Sequence, residues 1–327
     1  MIRAMRIVVA HSEPGAGLAW RRELAARLPG TTVLVDAGSP DGRDPAHAAQ
    51  VAPEGFMADW AVGWSPPADF FARHAALRGF FSAGAGVDGL LRHPGMPPAL
   101  TVVRLEDAGM AGLMADYCLH ELLRFAGRFD AYAAYQADAR WVEHAPIPRA
   151  ELPVGVLGVG VLGTHVARRL AAAGFTVRGY ARGPRTIDGV EVLHGPDGWH
   201  AFLAATRVLI LLAPRTPETE DLIDADALSR LQPDGWLINI ARGALLVDAD
   251  LVAALDSGRL AGATLDVFRE EPLPASHPFW QHPRIRVTPH VSGPTQVAVS
   301  AAQVAAKLAA LARGEAVGGL VDRTRGY

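Results

Sequence analysis

Three short stretches place chemically capable side chains just beyond apolar runs. Arg242 follows LINIA within LQPDGWLINIARGALLVD (231–248), Glu270 and Glu271 follow in LDVFREEPLP (265–274), and His290 closes VTPH (287–290). A guanidinium can neutralise a carboxylate with its planar fork while donating toward an adjacent carbonyl, which suits a molecule that carries both groups side by side. A histidine titrates near neutrality, so it can give or take the proton that a carbonyl oxygen needs as charge builds on it. A carboxylate next to that ring would orient it and stabilise its protonated form. On residue type alone, either Glu270 or Glu271 can fill this role. The three side chains together describe polarisation and protonation of a ketone beside a carboxylate; taken singly, each could be an ordinary surface or ion-paired residue.

A second pattern concerns a phosphate-bearing ligand. Gly158-Val159-Gly160-Val161-Leu162-Gly163 follows an apolar strand pattern and opens a helical one over 161–173, the context that makes GxGxxG a dinucleotide-binding fingerprint. Gly158 permits a tight turn, Gly160 lets backbone approach a pyrophosphate, and Gly163 lets helix and strand pack closely. Val161 and Leu162 begin the helix, whose unpaired N–H groups and partial positive charge face the phosphates. An acid about 20 residues further on would bind the ribose hydroxyls of NAD. Residues 164–187 contain none, and the strand runs instead into Tyr180-Ala181-Arg182-Gly183-Pro184-Arg185. Two arginines there suit a ribose 2′-phosphate, so NADPH is expected to be preferred, with NADH possible.

The elements that must position these residues follow from an alternation of short β-branched runs with longer alanine- and leucine-rich stretches, the pattern of an α/β protein with parallel sheets. MRIVVA (5–10), TTVLVDA (31–37), WAVGW (60–64), LRGFFSA (77–83) and TVVRL (101–105) read as strands of a first unit, with a helix near 18–28. A helical stretch over 109–128 and a Tyr- and Trp-containing segment (131–144) lead to a linker marked by Pro146, Pro148 and Pro153. A second unit opens at LPVGVLGVGVLG (152–163) and continues through TVRGYA, RVLILLA, WLINIA, ATLDV and IRVTP, a six-strand doubly wound pattern whose carboxyl ends carry Arg242, the Glu pair and His290. A last helix spans about 294–313.

The fingerprint together with the 231–248, 265–274 and 287–290 segments resembles the D-isomer-specific 2-hydroxyacid dehydrogenase family, over nearly the whole chain. WAVGWSPP (60–67), SAGAGVDGLL (82–91), RLEDAGM (104–110), TPETEDLI (216–223), WQHPRIRVTPHVSG (280–293) and the VDRTRGY ending resemble its glyoxylate/hydroxypyruvate reductase branch. The resemblance implies that Arg242 binds substrate, His290 is the acid/base and Glu271, the acid directly before Pro272, is its carboxylate partner. It further implies that Asp266 orients the nicotinamide amide and that Ile240 is among the cofactor contacts. Ala85 and Gly86, in a loop able to present N–H groups as a nest, would meet the substrate carboxylate, and Trp64 would close over it. The implied architecture is two Rossmann-like doubly wound parallel-sheet domains with an active-site cleft between them. Residues 1–107 and 291–327 would form a discontinuous, flavodoxin-like substrate domain, and 108–290 the NAD(P)-binding domain. The implied reaction is reduction of small 2-oxo acids to D-2-hydroxy acids by a homodimer. A D-lactate-type dehydrogenase or a nucleotide-sensing scaffold or corepressor are the competing readings.

Composition narrows the classes. A formal charge of −3 without like-charge blocks gives no sign of a nucleic-acid or anionic-membrane partner. The single cysteine, Cys118, excludes an intramolecular disulfide and any multi-cysteine metal site, and no metal is expected. Lys307 is the sole lysine, a poor Schiff-base candidate. The N-terminal MIRAMRIVVAHSEP is too short in its apolar run for a signal-peptide core or membrane span, so the cytoplasm is the expected compartment.

Overall fold

Among the described residues, the apolar runs of the sequence become twelve strands in two all-parallel sheets. The structure, a computed structural model, describes residues 5–327; residues 1–4, the start of the N-terminal run read above, lie outside the described residues. By its internal contacts the chain divides into unit 1, Met1–Gly109 with Thr295–Tyr327, and unit 2, Met110–Pro294.

Unit 1 holds β1 (Arg6–His11), β2 (Thr32–Val35), β3 (Trp60–Trp64), β4 (Gly79–Ser82) and β5 (Thr101–Val103) in the order β2-β1-β3-β4-β5. Both faces are covered, which is why β1 and β4 read as continuous apolar runs instead of alternating with polar residues. Val8, Ala10, Phe80 and Val102 pack with Phe70 and Phe71 in one core cluster. The helix Ala16–Arg27, which buries Trp20 and Leu24, packs against the helix Val297–Ala312 contributed by the C-terminal segment. Asp41 satisfies the start of the first of these helices, accepting from the N–H of Gly15 (2.6 Å) and of Leu18 (3.1 Å). Lys307 is buried and donates to the Arg104 carbonyl (3.2 Å) and to Glu106 (3.1 Å), which ties the C-terminal helix down and occupies the chain's one lysine.

Unit 2 contains β6 (Val154–Leu157), β7 (Val177–Ala181), β8 (Glu191–His194), β9 (Val208–Leu211), β10 (Gly235–Asn239), β11 (Leu260–Leu265) and β12 (Ile285–Val287), ordered β12-β11-β10-β9-β6-β7-β8. Residues of alternate parity feed two cores. Val154, Val156, Val208, Ile210, Trp236 and Ile238 face the helices Met110–Ala126 and Val161–Ala172, while Leu157, Leu209, Leu211, Leu237 and Leu265 face Phe202, Leu228 and Leu255. The sheet has seven strands where the sequence pattern gives six. The additional one, β8, is a four-residue edge strand without a single fully buried side chain, closely framed by Gly189 and Gly195, so it carries too little apolar signal to stand out. The aromatic segment also contributes a second helix, Phe129–Ala137, beyond Met110–Ala126.

Strand order reverses at β6. From β6 the chain runs outward to β7 and β8, then returns to β9 on the other side. This is the switch point at which open α/β sheets bind ligands beyond their carboxyl ends.

Candidate active site

β10, β11 and β12 are neighbours, and Arg242, Glu271 and His290 follow their carboxyl ends in that order. Arg242 is half-buried three residues after β10, with Nη1 donating to the Ala241 carbonyl at 2.7 Å. Its turn is pinned from within the strand: the buried Asn239 side chain donates to the Arg242 carbonyl (3.0 Å) and accepts from the Ala241 N–H (3.1 Å). The next residue must be glycine, because a Cβ on Gly243 would overlap the Phe268 and Arg269 backbone. The Arg242 turn and the loop that carries Glu271 therefore lie backbone against backbone.

The carboxylate partner of the histidine is Glu271. Its Oε2 lies 2.8 Å from His290 Nδ1, and its Oε1 accepts the Phe268 N–H at 2.8 Å. Partial burial opposes ionisation of Glu271, but the hydrogen bonds from His290 and Phe268, with the charges of His290 and Arg242, more than offset it. Its carboxyl therefore sits below the ordinary value. With Nδ1 committed to Glu271, His290 Nε2 has no partner among the described residues, on a side chain that is 42% exposed. The ring is thus oriented by one nitrogen and presents the other.

His290 has a left-handed backbone, φ 54°, uncommon for a residue with a side chain. Its N–H donates to the Asp266 carbonyl (2.8 Å) and the Thr288 carbonyl (3.1 Å). Asp266 is 0% exposed and holds the same turn with its side chain. Oδ1 accepts from Thr288 Oγ1 (2.6 Å) and the Val291 N–H (2.8 Å), and Oδ2 from the Ser292 N–H (2.8 Å). Thr288 Oγ1 in turn lies 2.7 Å from the hydroxyl of Tyr117. Tyr117, Thr288, Asn239 and Gly243 were not singled out by the sequence reading. Asn239 alone had a visible signal, a polar residue in an otherwise apolar strand.

The fingerprint glycines sit at the switch point. Gly158 has φ 95°, and a Cβ there would overlap the Leu212 and Ala213 backbone, so β6 and β9 approach closely where the loop leaves the sheet. A Cβ on Gly163 would strike the Gly158 carbonyl, whereas one on Gly160 would meet nothing within 4 Å. The helix Val161–Ala172 starts without a side-chain cap, and Val161 is exposed, with Leu162 half-buried behind it. Open space over uncapped N–H groups fits a dinucleotide pyrophosphate. Beyond β7, Arg182 and Arg185 are exposed; Arg185 donates to the Val159 carbonyl of the glycine loop. Glu218 is held below the ordinary carboxylate range first by Thr216, then by its own backbone, with a smaller contribution from the charge of Arg182. Ile240 is 4% exposed and its side chain belongs to the core.

In unit 1 the Trp64 ring lies over Gly84, where a Cβ would come within 2.6 Å of it. Ser82 Oγ bridges the same loop, accepting from the Gly84 N–H (3.3 Å) and donating to the Gly86 carbonyl (3.3 Å). No described residue accepts from the N–H of Ala85 or Gly86. Among the described residues no group of three or more His, Cys, Asp or Glu could hold a metal ion, and no helix is long and apolar enough to cross a membrane.

Residues 119–292 match the family model for the D-isomer specific 2-hydroxyacid dehydrogenase, NAD binding domain. The chain is 44% identical over 275 residues to glyoxylate/hydroxypyruvate reductase A of Yersinia enterocolitica, covering 83% of this chain and 88% of that protein. Among solved structures it is similar to a D-isomer specific 2-hydroxyacid dehydrogenase from Xanthobacter autotrophicus Py2 in complex with NADPH and MES, at 36% identity and TM-score 0.89, covering 99% of this chain and 100% of that one. An NADPH-dependent glyoxylate/hydroxypyruvate reductase from Sinorhizobium meliloti, in complex with NADP and sulfate, is similar at 34% identity, TM-score 0.89 and the same coverage. The chain belongs to the D-isomer specific 2-hydroxyacid dehydrogenase family, a family of oxidoreductases.

Proposed function

We propose that this chain reduces small 2-oxo acids, glyoxylate and hydroxypyruvate, to the D-2-hydroxy acids with NADPH, NADH being a poorer substitute. The observation that carries the reading is the His290–Glu271 pair at 2.8 Å, with His290 Nε2 presented and the Arg242 charge acting on the same carboxylate. It is supported by the relatives named above and by the two arginines that follow β7 in place of an acid.

Gly158, Gly160, Val161, Leu162 and Gly163 would hold the pyrophosphate, Arg182 and Arg185 the ribose 2′-phosphate, and the Ile240 backbone would border the nicotinamide. When bound, the cofactor supplies the hydride that reduces C2 of the substrate. Arg242 pairs with the substrate carboxylate and donates toward the ketone, so negative charge developing on that oxygen meets a fixed cation. Protonated His290 gives its Nε2 proton to the same oxygen, and Glu271, still ionised, keeps the ring in the orientation that allows it. Ala85 and Gly86 would add N–H donors for the substrate carboxylate, with Trp64 as the aromatic that covers it. Asp266 Oδ2 accepts one bond in the turn, which leaves it acceptor capacity for the nicotinamide amide.

The chain would act as a homodimer in the cytoplasm. Leu113, Leu123, Phe129 and Trp141, the last 93% exposed, leave apolar side chains uncovered along residues 110–141, the kind of side chain that a partner covers. The test of the reaction is a set of initial rates with glyoxylate, hydroxypyruvate and pyruvate, each with NADPH and NADH. Rapid oxidation of NADPH by the first two supports it; cofactor binding without turnover of any 2-oxo acid contradicts it.

A further inference from the structure

We infer that Tyr117 and Thr288 are positioning residues for the acid/base: with Asp266 they form a hydrogen-bonded chain that holds the His290 turn in its left-handed conformation. The inference rests on the reading of His290 given above. The chain runs from the helix Met110–Ala126 through β12's end to β11's end, entirely within unit 2.

Its polarity follows from donor inventory. The backbone N–H groups of Val291 and Ser292 can only donate, so both Asp266 oxygens accept. Thr288 has one hydroxyl proton, and at 2.6 Å it goes to Asp266 Oδ1. Thr288 Oγ1 must then accept from Tyr117, 2.7 Å away. Burial is the largest influence on the Tyr117 phenol and pushes it well above its ordinary range; the hydrogen bond with Thr288 works against this, and the charges of Asp266 and Glu121 add to it. Tyr117 therefore keeps its proton and stays a donor wherever the enzyme works.

The reason for such a chain lies in the backbone it serves. A left-handed conformation at a residue with a Cβ is unfavourable by about 1 kcal/mol or more and persists only where its surroundings over-determine it. Asp266 does this from both sides of His290, with its carbonyl on the His290 N–H and its carboxylate on the hydroxyl before and the N–H groups after. Asp266 itself, 0% exposed, is kept from turning by Thr288, and Thr288 by Tyr117. Loosening the far end lets the imidazole drift while leaving Arg242 and the phosphate-binding residues in place, and a displacement of about 1 Å can cost on the order of 100-fold in rate.

The test uses Tyr117→Phe, Thr288→Val, Thr288→Ser and the double variant Tyr117→Phe/Thr288→Val in the full chain. Two things are measured: steady-state kinetics with glyoxylate and NADPH, and amide hydrogen exchange at residues 290–292. Tyr117→Phe is expected to lower kcat about tenfold with KM for both substrates within about twofold, Thr288→Val to lower it further, and Thr288→Ser to restore most of the loss. The double variant should be no worse than Thr288→Val alone, because one chain is cut twice. Exchange at 290–292 should rise in the same order. Unchanged exchange in Tyr117→Phe and Thr288→Val overturns the chain as a clamp, and raised exchange with unchanged kcat overturns its role in positioning. So does a Thr288→Ser variant as slow as Thr288→Val. A parent protein inert toward every 2-oxo acid defeats the proposed reaction instead, and the exchange data then still decide whether the chain holds the turn.

Discussion

At the scale of single residues, the proposed site divides its labour between a fixed cation and a histidine–carboxylate pair. Arg242 suits its part because a guanidinium presents two parallel donors, whereas an ammonium presents a point charge. Arg242→Lys should therefore lower kcat/KM for glyoxylate at least roughly 100-fold, equivalent to about 2.7 kcal/mol of transition-state stabilisation. Steady-state kinetics on the purified variant measure this, and activity within a fewfold of the parent would remove Arg242 as the anchor. The pair makes a pH prediction whose sign follows from Glu271. Its carboxyl lies below the ordinary value, so it stays ionised as pH falls through the usual carboxylate range, and the pair is broken only in more acidic solution. In the proposed mechanism the ketone oxygen takes its proton from His290, so the reductive rate should fall as pH rises. Glu271→Gln removes the charge that favours imidazolium, and its descending limb should move to lower pH, with activity better preserved in acid than at neutral pH. Paired pH–rate profiles read this out. An unmoved limb would mean that Glu271 does not govern the ring's charge. Residue types and spacing pointed to Arg242, His290 and the Glu270–Glu271 pair, the family resemblance favoured Glu271, and the structure sets Glu271 2.8 Å from the His290 ring. Residue types and spacing could not have found Tyr117, whose partner Thr288 is 171 positions away in the chain.

At the scale of elements, function is concentrated where strands end. The carboxyl ends of β10, β11 and β12 lead to Arg242, Glu271 and His290, and those of β6 and β7 to the fingerprint and the two arginines. Arg185 reaches back to the Val159 carbonyl, which joins the end of β7 to the glycine loop. If these arginines read the 2′-phosphate, removing them takes away charge-assisted bonds worth about 1.5–3 kcal/mol each, or roughly 10- to 100-fold in affinity. The double variant Arg182→Ala/Arg185→Ala should raise KM for NADPH by about tenfold or more and leave KM for NADH within about threefold. Equal changes in both would show that the pair serves the loop's structure instead. The strands that end at these sites were legible because each is an apolar run bounded by turn residues. β8 was not, since a short half-exposed edge strand leaves the same trace as a loop. The fit of Gly243 against residues 268 and 269 was equally hidden, because nothing local to N-I-A-R-G says which backbone lies opposite.

At the scale of the whole molecule, the alternation of strand and helix patterns was sufficient for two parallel-sheet units, and the family match covers the second. What an α/β fold cannot supply by itself is the choice of cofactor and substrate, which belongs to the side chains at the strand ends. The central claim is that these side chains make an NADPH-dependent 2-oxo acid reductase. The measurement that bears on it most directly is kcat/KM for NADPH and for NADH, each with saturating glyoxylate, on the unmodified protein. The account predicts turnover with both and a preference for NADPH of at least about tenfold, a difference of about 1.4 kcal/mol. Equal use of the two cofactors, or binding of NADPH with no oxidation of it by glyoxylate or hydroxypyruvate, would contradict it.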